Sequence, residues 1–324
     1  MLEPFTIFNG VFFIGFIILL AAVLLDLIIG DPKWLPHPVV QMGRLITLLE
    51  KRWNGNDHRK TKGVFLTATV IAVVFLFTFL IVFFAYKLHF IVGVIIEIYI
   101  ISTTIAINGL HNAAKSVFIP LVKGDLDEAR KSLSMIVGRD TDRLPENEIV
   151  RGTVETVAEN TVDGITAPLF WALIGGAPLA MVYRAINTLD SMVGYKNEQF
   201  IQFGWASAKL DDLANFIPAR LTAFSIWLSA RFIKGSRMKK AWQITRRDAM
   251  KHPSPNSGWS EAMVAGLMDV QLGGINYYKG IKSVRATMGD NSRRLVTSDI
   301  IKSLYYMHGG WIVFFIFMIV ALSV

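Results

Sequence analysis

Six long apolar runs dominate the pattern of hydrophobic and polar positions along the chain. They cover residues 11–29, 64–86, 90–107, 165–183, 214–233 and 305–324. Each is close to the roughly 20 residues that a helix needs to cross the hydrocarbon core of a bilayer. The pattern therefore predicts an all-α fold, a polytopic integral membrane helical bundle with about four to six membrane segments.

Three polar stretches separate these segments, and we expect them to be helical cytosolic loops of a single membrane domain, 1–324. They cover residues 30–63, 108–164 and 234–304. The turn-rich stretch from Gly138 to Pro145 should divide the second loop into helices at about 109–136 and 146–162. Two prolines in the stretch from His252 to Gly258 predict an irregular loop there, with amphipathic helices on both sides.

Helix-breaking residues interrupt the fourth and fifth apolar segments. Gly175, Gly176 and Pro178 lie in the fourth, and Pro218 lies in the fifth. If both segments cross the membrane, the connection between them lies outside, away from the three polar loops. A broken or re-entrant arrangement, in which protein or water satisfies the freed backbone groups, is the other reading of this region.

Composition and charge support a membrane protein and give it an orientation. The mean hydropathy is +0.45 and the hydrophobic fraction 53%, which is too apolar for an ordinary soluble domain. Lys and Arg concentrate in the three polar loops, so the positive-inside rule places those loops in the cytosol and predicts a multi-pass protein of the cell membrane. We expect the lipid bilayer, and no nucleic acid, among its partners. The absence of cysteine excludes disulfides and thiolate catalysis.

A stripe of charge precedes the fourth apolar segment. Arg151, Glu155, Glu159 and Asp163 recur every four residues, so a helix would place them along one face. Three carboxylates so close repel one another unless a cation lies among them, and a divalent metal, a metal-bound nucleotide or a substrate amine would supply it. A solvated helix face is an equally good explanation of the spacing alone.

Two further clusters are candidates for chemistry. Asp31 precedes Pro32, and His37 lies between Pro36 and Pro38, just after the first apolar segment, where a tight exit turn explains them equally well. The second cluster lies in the connection between the fourth and fifth segments and at its borders. It comprises Arg184, Asn187, Asp190, Lys209, Asp211, Asp212 and Arg220. Such a mixture suits a metal together with a phosphate, although surface ion pairs produce it about as often.

Four blocks of sequence together resemble the adenosylcobinamide-phosphate synthase family, membrane proteins of cobalamin biosynthesis. The blocks read LDLIIGDPKWLPHPVVQMGRLI, GRDTDRLPENEIVRGTVETVAENTVDGITAPLFW, YRAINTLDSMVGYKNEQFIQFGWASAKLDDLANFIPARLTA and HPSPNSGWSEAMVAGLMDVQLGG. The resemblance implies ATP-dependent amide formation. It would join the carboxylate of adenosylcobyric acid to (R)-1-aminopropan-2-ol or its phosphate, with the corrinoid as a substrate.

The resemblance and the requirements of that reaction together assign roles to the candidate residues. Glu155, Glu159 and Asp163 would place Mg²⁺ and ATP, with Arg151 near the phosphates. No Walker sequence is present, so the nucleotide site would be unconventional. The attacking amine needs a general base, for which Asp190, Asp211 and His252 are candidates.

Substrate contacts complete this assignment. Arg184, Lys209 and Arg220 are candidates for a substrate phosphate. Asn256, Ser257 and Trp259 are candidates for the corrinoid, and Trp259 suits a membrane-interface anchor equally well. The catalytic set that we predict is Glu155, Glu159, Asp190 and Asp211.

Two other classes of function remain open at this point. A transporter of a charged solute could use Asp26, Glu97 and Arg220, which interrupt apolar segments. A non-catalytic membrane sensor could keep the fold of an enzyme without its activity. The dense polar blocks lie in loops and the acidic candidates are retained, which favours the enzyme.

Overall fold

The computed structural model describes residues 4–30, 37–55, 57–195 and 197–323. In chain order its α-helices are α1 (Pro4–Ile29), α2 (Pro38–Trp53), α3 (Arg59–Leu88), α4 (Phe90–Ser102), α5 (Ile107–Val122), α6 (Leu126–Ser134), α7 (Glu146–Thr161), α8 (Ala167–Val193), α9 (Trp205–Ala214), α10 (Phe216–Ser229), α11 (Met238–Asp248), α12 (Ser257–Met268) and α13 (Ser298–Ser323). A π-helical turn, Val162–Thr166, links α7 to α8, and short 3₁₀ turns cover Ala230–Phe232 and Ala249–Lys251. Two strands, β1 (Leu272–Tyr278) and β2 (Ile281–Met288), form an antiparallel hairpin.

Within the part of the chain that the structure describes, four helical stretches are long and apolar enough to cross a membrane, by length and composition. They are Arg59–Leu88, Phe90–Val122, Glu146–Val193 and Ser298–Ala321. They coincide with four of the six predicted apolar segments, and a shorter apolar helix, Ile14–Ile29, coincides with another. The predicted fold class, an all-α polytopic membrane protein, is confirmed.

The apolar run 214–233 forms a helix that is too short to cross a bilayer alone. Its helix, α10, has 14 residues, and a 3₁₀ turn follows it. At 1.5 Å per residue, α10 is about 21 Å long, against about 30 Å for a hydrocarbon core. The apolar run therefore overstated the length of the regular helix.

The chain divides into two compact units, each built from separate stretches of sequence. The first contains Met1–Ile107, Ala167–Asn215 and Met318–Val324, and the second contains Asn108–Thr166 and Phe216–Phe317. In the first unit, α2, α3 and α8 enclose a core that includes the fully buried side chains of Ile46, Leu66 and Leu189.

Helix α8, in the first unit, breaks at two glycines. Gly175 and Gly176 leave helical geometry, and Gly176 has a φ of 61°. Glu97 of α4 accepts a hydrogen bond from the Ala177 backbone N–H at 3.3 Å and another from the Tyr86 hydroxyl at 2.7 Å. This confirms the predicted break, and it gives the carboxylate in the apolar segment a structural role.

In the second unit, the region predicted as one helix over 109–136 is two helices. Helix α5 ends at Val122, and Gly124 has a φ of 77° that suits its lack of a side chain. Asp125 then caps α6 by accepting a hydrogen bond from the Glu128 N–H at 3.0 Å. The predicted helix start after Pro145 is confirmed, with Glu146 and Glu148 in the first turn of α7.

The hairpin corrects the expectation that the stretch 234–304 is entirely helical apart from its Pro-rich loop. Lys279 and Gly280 both have positive φ and connect β1 to β2 in a two-residue turn. Asp140, just before α7, accepts hydrogen bonds from both backbone N–H groups of that turn, at 2.9 and 2.7 Å. The Asp140 N–H donates in return to the Tyr277 carbonyl. The hairpin is thus fixed to the segment that precedes the charged helix.

Candidate active site

Glu155 of helix α7 is a buried carboxylate that accepts three hydrogen bonds. Its Oε1 accepts from Arg151 Nη1 at 3.0 Å and from the Gly273 N–H at 2.8 Å. Its Oε2 accepts from Arg139 Nη2. All of these side chains are buried. Two guanidinium groups and a backbone donor therefore balance one buried carboxylate.

Arg151 ties α7 to strand β1. Besides Glu155, it donates to Glu148 through Nε and Nη2 and to the carbonyls of Gly273 and Ile275. Nη2 also reaches Asn276 Oδ1 at 3.0 Å, an atom that accepts from Arg139 Nη1 at 2.6 Å as well. Protein acceptors engage every nitrogen of this guanidinium. In this conformation Arg151 positions the hairpin, and it has no N–H left for the phosphate contact that the sequence suggested.

The predicted metal ligands do not form a preorganised cage. Both carboxylate oxygens of Glu155 accept hydrogen bonds from guanidinium groups. Asp163 lies on the π-helical turn after α7 rather than on α7 itself. Within the described residues, no group of three or more His, Cys, Asp or Glu side chains is arranged to hold a metal ion. The grouping of Glu155, Glu159 and Asp163 as a protein-built metal site does not fit this geometry.

Glu159 contacts the loop before α12. Its Oε1 accepts a hydrogen bond from Ser257 Oγ at 3.1 Å. The Ser254 hydroxyl accepts from the backbone N–H groups of Asn256 and Ser257, which orders this Pro-containing stretch. The loop predicted as irregular and fixed thus brings Ser257 to the charged face of α7.

Arg220 of α10 meets the same loop. Its guanidinium lies 4.8 Å from the centroid of the Trp259 ring and 3.6 Å from that of Phe216. Nη1 donates to Asn256 Oδ1 at 3.4 Å. Arg220, predicted to bind a phosphate, therefore lies with Asn256 and Trp259, predicted to bind the corrinoid, in one group of the second unit. The guanidinium lies over both aromatic rings, an arrangement typical of a cation–π contact.

Glu261 is a buried acid in the second unit that the sequence did not single out. It lies on α12, is 4% exposed, and has His252 Nε2 3.6 Å from its Oε1. Burial raises the pKa of Glu261 well above its usual value, and the nearby Glu159 and Glu155 raise it further. Burial likewise lowers the pKa of His252. Both groups are therefore held toward their neutral forms.

The first unit holds a second acidic group, on α8 and α9. Burial raises the pKa of Asp211 to about 7, and the neighbouring Asp190 carboxylate contributes to the same shift. Asp211 Oδ2 accepts from Asn215 Nδ2 at 3.1 Å, and Asn215 Oδ1 accepts from the buried Tyr183 hydroxyl at 2.8 Å. Asp190 and Asp211, which the sequence analysis grouped in one cluster, are also neighbours in the structure.

The remaining candidates divide between the two units and the undescribed residues. Arg184 and Asn187 lie on α8, on the same helix as Asp190. Lys209 is largely exposed and lies 3.6 Å from Asp212, as a surface ion pair. His37 caps α2 by accepting from the Val39 N–H at 3.3 Å. Asp31 lies outside the described residues.

Comparison with known proteins shows the family to which this chain belongs. A family model described as "CobD/Cbib protein" matches residues 19–307. The chain belongs to the CobD/Cbib protein family. A relative from Halalkalibacterium halodurans, named "Cobalamin biosynthesis protein CobD", is 51% identical over 302 residues, covering 93% of this chain and 95% of the relative. A relative of the same name from Leptospira interrogans is 45% identical over 303 residues, covering 93% and 96%. No solved structure gives a significant match.

The site of this CobD/Cbib protein extends the predicted set in two respects. Arg139 and Asn276 belong to the Glu155 network, and Glu261 faces His252. An Arg in a turn and an Asn in an unpredicted strand gave no periodic signal. Glu261 is the only charged residue in the apolar sequence of α12, and it gave no periodic signal either.

Proposed function

We propose that this CobD/Cbib protein acts in cobalamin biosynthesis as an ATP-dependent acid–amine ligase, an adenosylcobinamide-phosphate synthase. The observation that carries the proposal is the match to relatives named "Cobalamin biosynthesis protein CobD", which extends over nearly the full length of both chains. The proposed substrates are adenosylcobyric acid, ATP, and (R)-1-aminopropan-2-ol or its phosphate.

The reaction has two chemical requirements. A carboxylate is a poor electrophile, so a carboxylate oxygen of the corrinoid first attacks the γ-phosphorus of ATP, giving an acyl phosphate and ADP. The amine nitrogen then attacks the acyl carbon, the C–O bond to phosphate breaks, and an amide and inorganic phosphate result. The nitrogen must lose a proton to a base along the way.

Carboxyl groups with raised pKa values suit that proton transfer. A carboxylate of ordinary pKa holds a proton from an amine poorly, whereas one whose pKa lies near neutrality does so better. Asp211, with a pKa of about 7, and Glu261, with a pKa raised by burial, are carboxyls of this kind. His252 is the third candidate, and its lowered pKa keeps it neutral and able to accept.

Guanidinium groups of the second unit bear on the handling of acidic substrates. Arg139 and Arg151 are held by Glu155 and the hairpin, so they position the site. Arg220 Nη1 donates to the Phe216 carbonyl at 2.6 Å and to Asn256 Oδ1 at 3.4 Å. Its Nε and Nη2 have no protein acceptor among the described residues, so we propose that they donate to a phosphate or carboxylate. The Trp259 and Phe216 rings beside it offer the flat apolar surface that a corrinoid edge requires.

The proposal places the protein in the cell membrane as a multi-pass protein. Four helices of sufficient length and apolar character support this location. The concentration of Lys and Arg in the stretches 30–63, 108–164 and 234–304 favours a cytosolic position for those stretches, on the side where ATP is available. The alternative function as a transporter is less well supported, because Glu97 accepts a hydrogen bond from the Ala177 N–H at the helix break and so has a structural role.

The proposal is tested by incubating the detergent-purified protein with adenosylcobyric acid, Mg-ATP and either form of the amine. Mass spectrometry should detect the corrinoid amide together with one equivalent of ADP. A reaction without ATP and a reaction without protein are the controls. Corrinoid binding without product from either amine would refute the ligase activity.

A further inference from the structure

Two carboxylates, Glu159 on α7 and Glu261 on α12, have no Lys or Arg within ion-pair distance among the described residues. Among the described residues, Glu159 has no ion-pair partner within 4 Å, and Glu261 has only His252, at 3.6 Å. Glu155, in contrast, is balanced by Arg139 and Arg151. Arg285 and Arg139 act on Glu261 without forming an ion pair, and they do not offset burial and the neighbouring Glu159 and Glu155, so the pKa of Glu261 stays well above its usual value. Glu261 is 4% exposed. A buried carboxylate in this position requires either a proton or an incoming cation.

His252 supplies an independent observation at the same place. Its Nδ1 lies 3.0 Å from the Ser254 backbone N–H and 3.1 Å from the Ser254 carbonyl oxygen. In the tautomer in which Nδ1 accepts from that N–H, the ring proton is on Nε2. That atom is buried and has no hydrogen-bond partner within the described part of the chain, because Glu261 Oε1 is too distant at 3.6 Å. The His252 side chain is only 7% exposed.

The buried His252 Nε2–H, which lacks an acceptor, lies beside the buried Glu261 carboxylate, which lacks a cation. Together they specify the chemical groups of a ligand that would bind to both. The carboxylate requires a cation that donates hydrogen bonds, and Nε2–H requires an acceptor. A primary ammonium with an oxygen on the adjacent carbon carries both groups at a short separation. A bare metal ion would satisfy the carboxylates but would repel the Nε2–H proton.

We propose that Glu261 and His252 form the subsite for the small amine substrate, in which Glu261 binds its ammonium and His252 Nε2–H binds the oxygen on the adjacent carbon. This inference rests on the proposed function, because it assigns the amine of that reaction. Glu159, fixed by Ser257, adds negative charge beside the ammonium. The ligand class is a 1-amino-2-hydroxyalkane or its phosphate ester.

Calorimetric titration of the full chain in detergent tests the subsite without turnover. The probes are (R)-1-aminopropan-2-ol, 1-aminopropane, which lacks the oxygen, and propan-2-ol, which lacks the amine. We expect affinity to fall in that order. Glu261→Gln should lower the affinity for both amines by about ten- to hundredfold, because a charge-assisted hydrogen bond is lost. His252→Phe should lower the affinity for aminopropanol alone, to that for 1-aminopropane.

Glu198→Gln is the control variant, since it removes an exposed carboxylate and should leave all three affinities unchanged. The subsite is overturned if Glu261→Gln folds and binds aminopropanol as tightly as the unmodified protein, or if propan-2-ol binds as well as the amines. The wild-type ligand series and His252→Phe decide the matter if Glu261→Gln does not fold. Aminopropanol binding with the expected variant pattern but no amide product would refute the ligase and support the subsite. Amide synthesis by the unmodified protein, together with unaltered aminopropanol binding by Glu261→Gln, would support the ligase and refute the subsite.

Discussion

Ser257 Oγ donates a hydrogen bond to Glu159 Oε1 at 3.1 Å, joining two residues 98 positions apart in the chain. This contact links the Pro-containing loop to the charged face of α7. Because Glu159 is only half-buried and has no cationic side chain within ion-pair distance among the described residues, the serine hydroxyl sets the orientation of its carboxylate.

Removing that hydroxyl should impair function more than stability. Ser257→Ala loses one hydrogen bond, worth about 1 kcal/mol, so its thermal midpoint should change little. We expect the KM for the amine to rise several-fold in the amide-forming assay, because Glu159 is no longer held beside the ammonium subsite. Ser116→Ala, at an exposed serine of α5, should behave as the unmodified protein. An unchanged KM in Ser257→Ala would show that Glu159 needs no such support.

Glu155 is expected to be essential through position rather than through contact with substrate. Glu155→Ala would leave the Arg139 and Arg151 guanidinium groups buried without their carboxylate, a loss of about 3–5 kcal/mol. The thermal midpoint should fall, and hydrogen exchange should accelerate across residues 272–288, since the hairpin loses its anchor. Glu128→Ala, at an exposed acid of α6, is the matched control. Unaltered exchange in the hairpin would contradict this role.

Asp211 should make stability depend on pH between its unfolded and folded pKa values. The folded pKa is about 7, against an ordinary value of 3.8, so the folded protein binds the proton more tightly than the unfolded chain. This contribution to stability is fully present below about pH 4 and is lost as the pH rises through about 7. Asp211→Asn should therefore raise the thermal midpoint at pH 8 by a few degrees and change it little at pH 4. Thermal scans across that range check the sign, and an equal shift at both pH values would refute it.

Gly176 should tolerate no side chain. Its φ of 61° is strained for other residues, and an added Cβ would also collide with the Glu97 carboxylate. Gly176→Ala should lower the thermal midpoint and weaken the contact between Glu97 and the Ala177 N–H.

Substitutions at two other glycines distinguish backbone strain from the collision with Glu97. Gly124 has a φ of 77° but open space around an added Cβ, so Gly124→Ala reports backbone strain alone. Gly15 lies in a regular helix with open space, and Gly15→Ala should cost nothing. If Gly176→Ala were no worse than Gly124→Ala, the Glu97 contact would have no energetic importance.

Hydrophobic periodicity predicted the membrane helices because their lengths and apolar character are local properties of the sequence. It overstated α10, since apolar residues continue through the 3₁₀ turn that ends the helix. The break at Gly175 and Gly176 was predictable because glycine chemistry is also local. The hairpin was missed although Lys279–Gly280, between segments that contain Ile275 and Val284, is a recognisable two-residue turn signal.

The site was predicted less completely because its partners are distant in sequence. The spacing of Arg151 and Glu155 on one helix predicted their contact correctly. It could not show that Arg139 and strand β1 would occupy the remaining hydrogen bonds, since these contacts depend on tertiary structure. Glu261 illustrates the same limit, because a lone Glu in an apolar helix carries no periodic signal until His252 is seen beside it.

The attachment of the hairpin to α7 has a consequence for the order in which the nascent chain acquires structure. Arg139, Arg151 and Glu155 leave the ribosome well over a hundred residues before Gly273 and Asn276, their partners on β1. Until that strand is synthesised, the two guanidinium groups lack acceptors that they have in the finished protein. A two-stranded hairpin is at best marginally stable alone, so it forms on a helix already in place. This segment of the membrane protein therefore matures late, and a chain truncated before residue 272 would expose a charged helix face to chaperones and proteases.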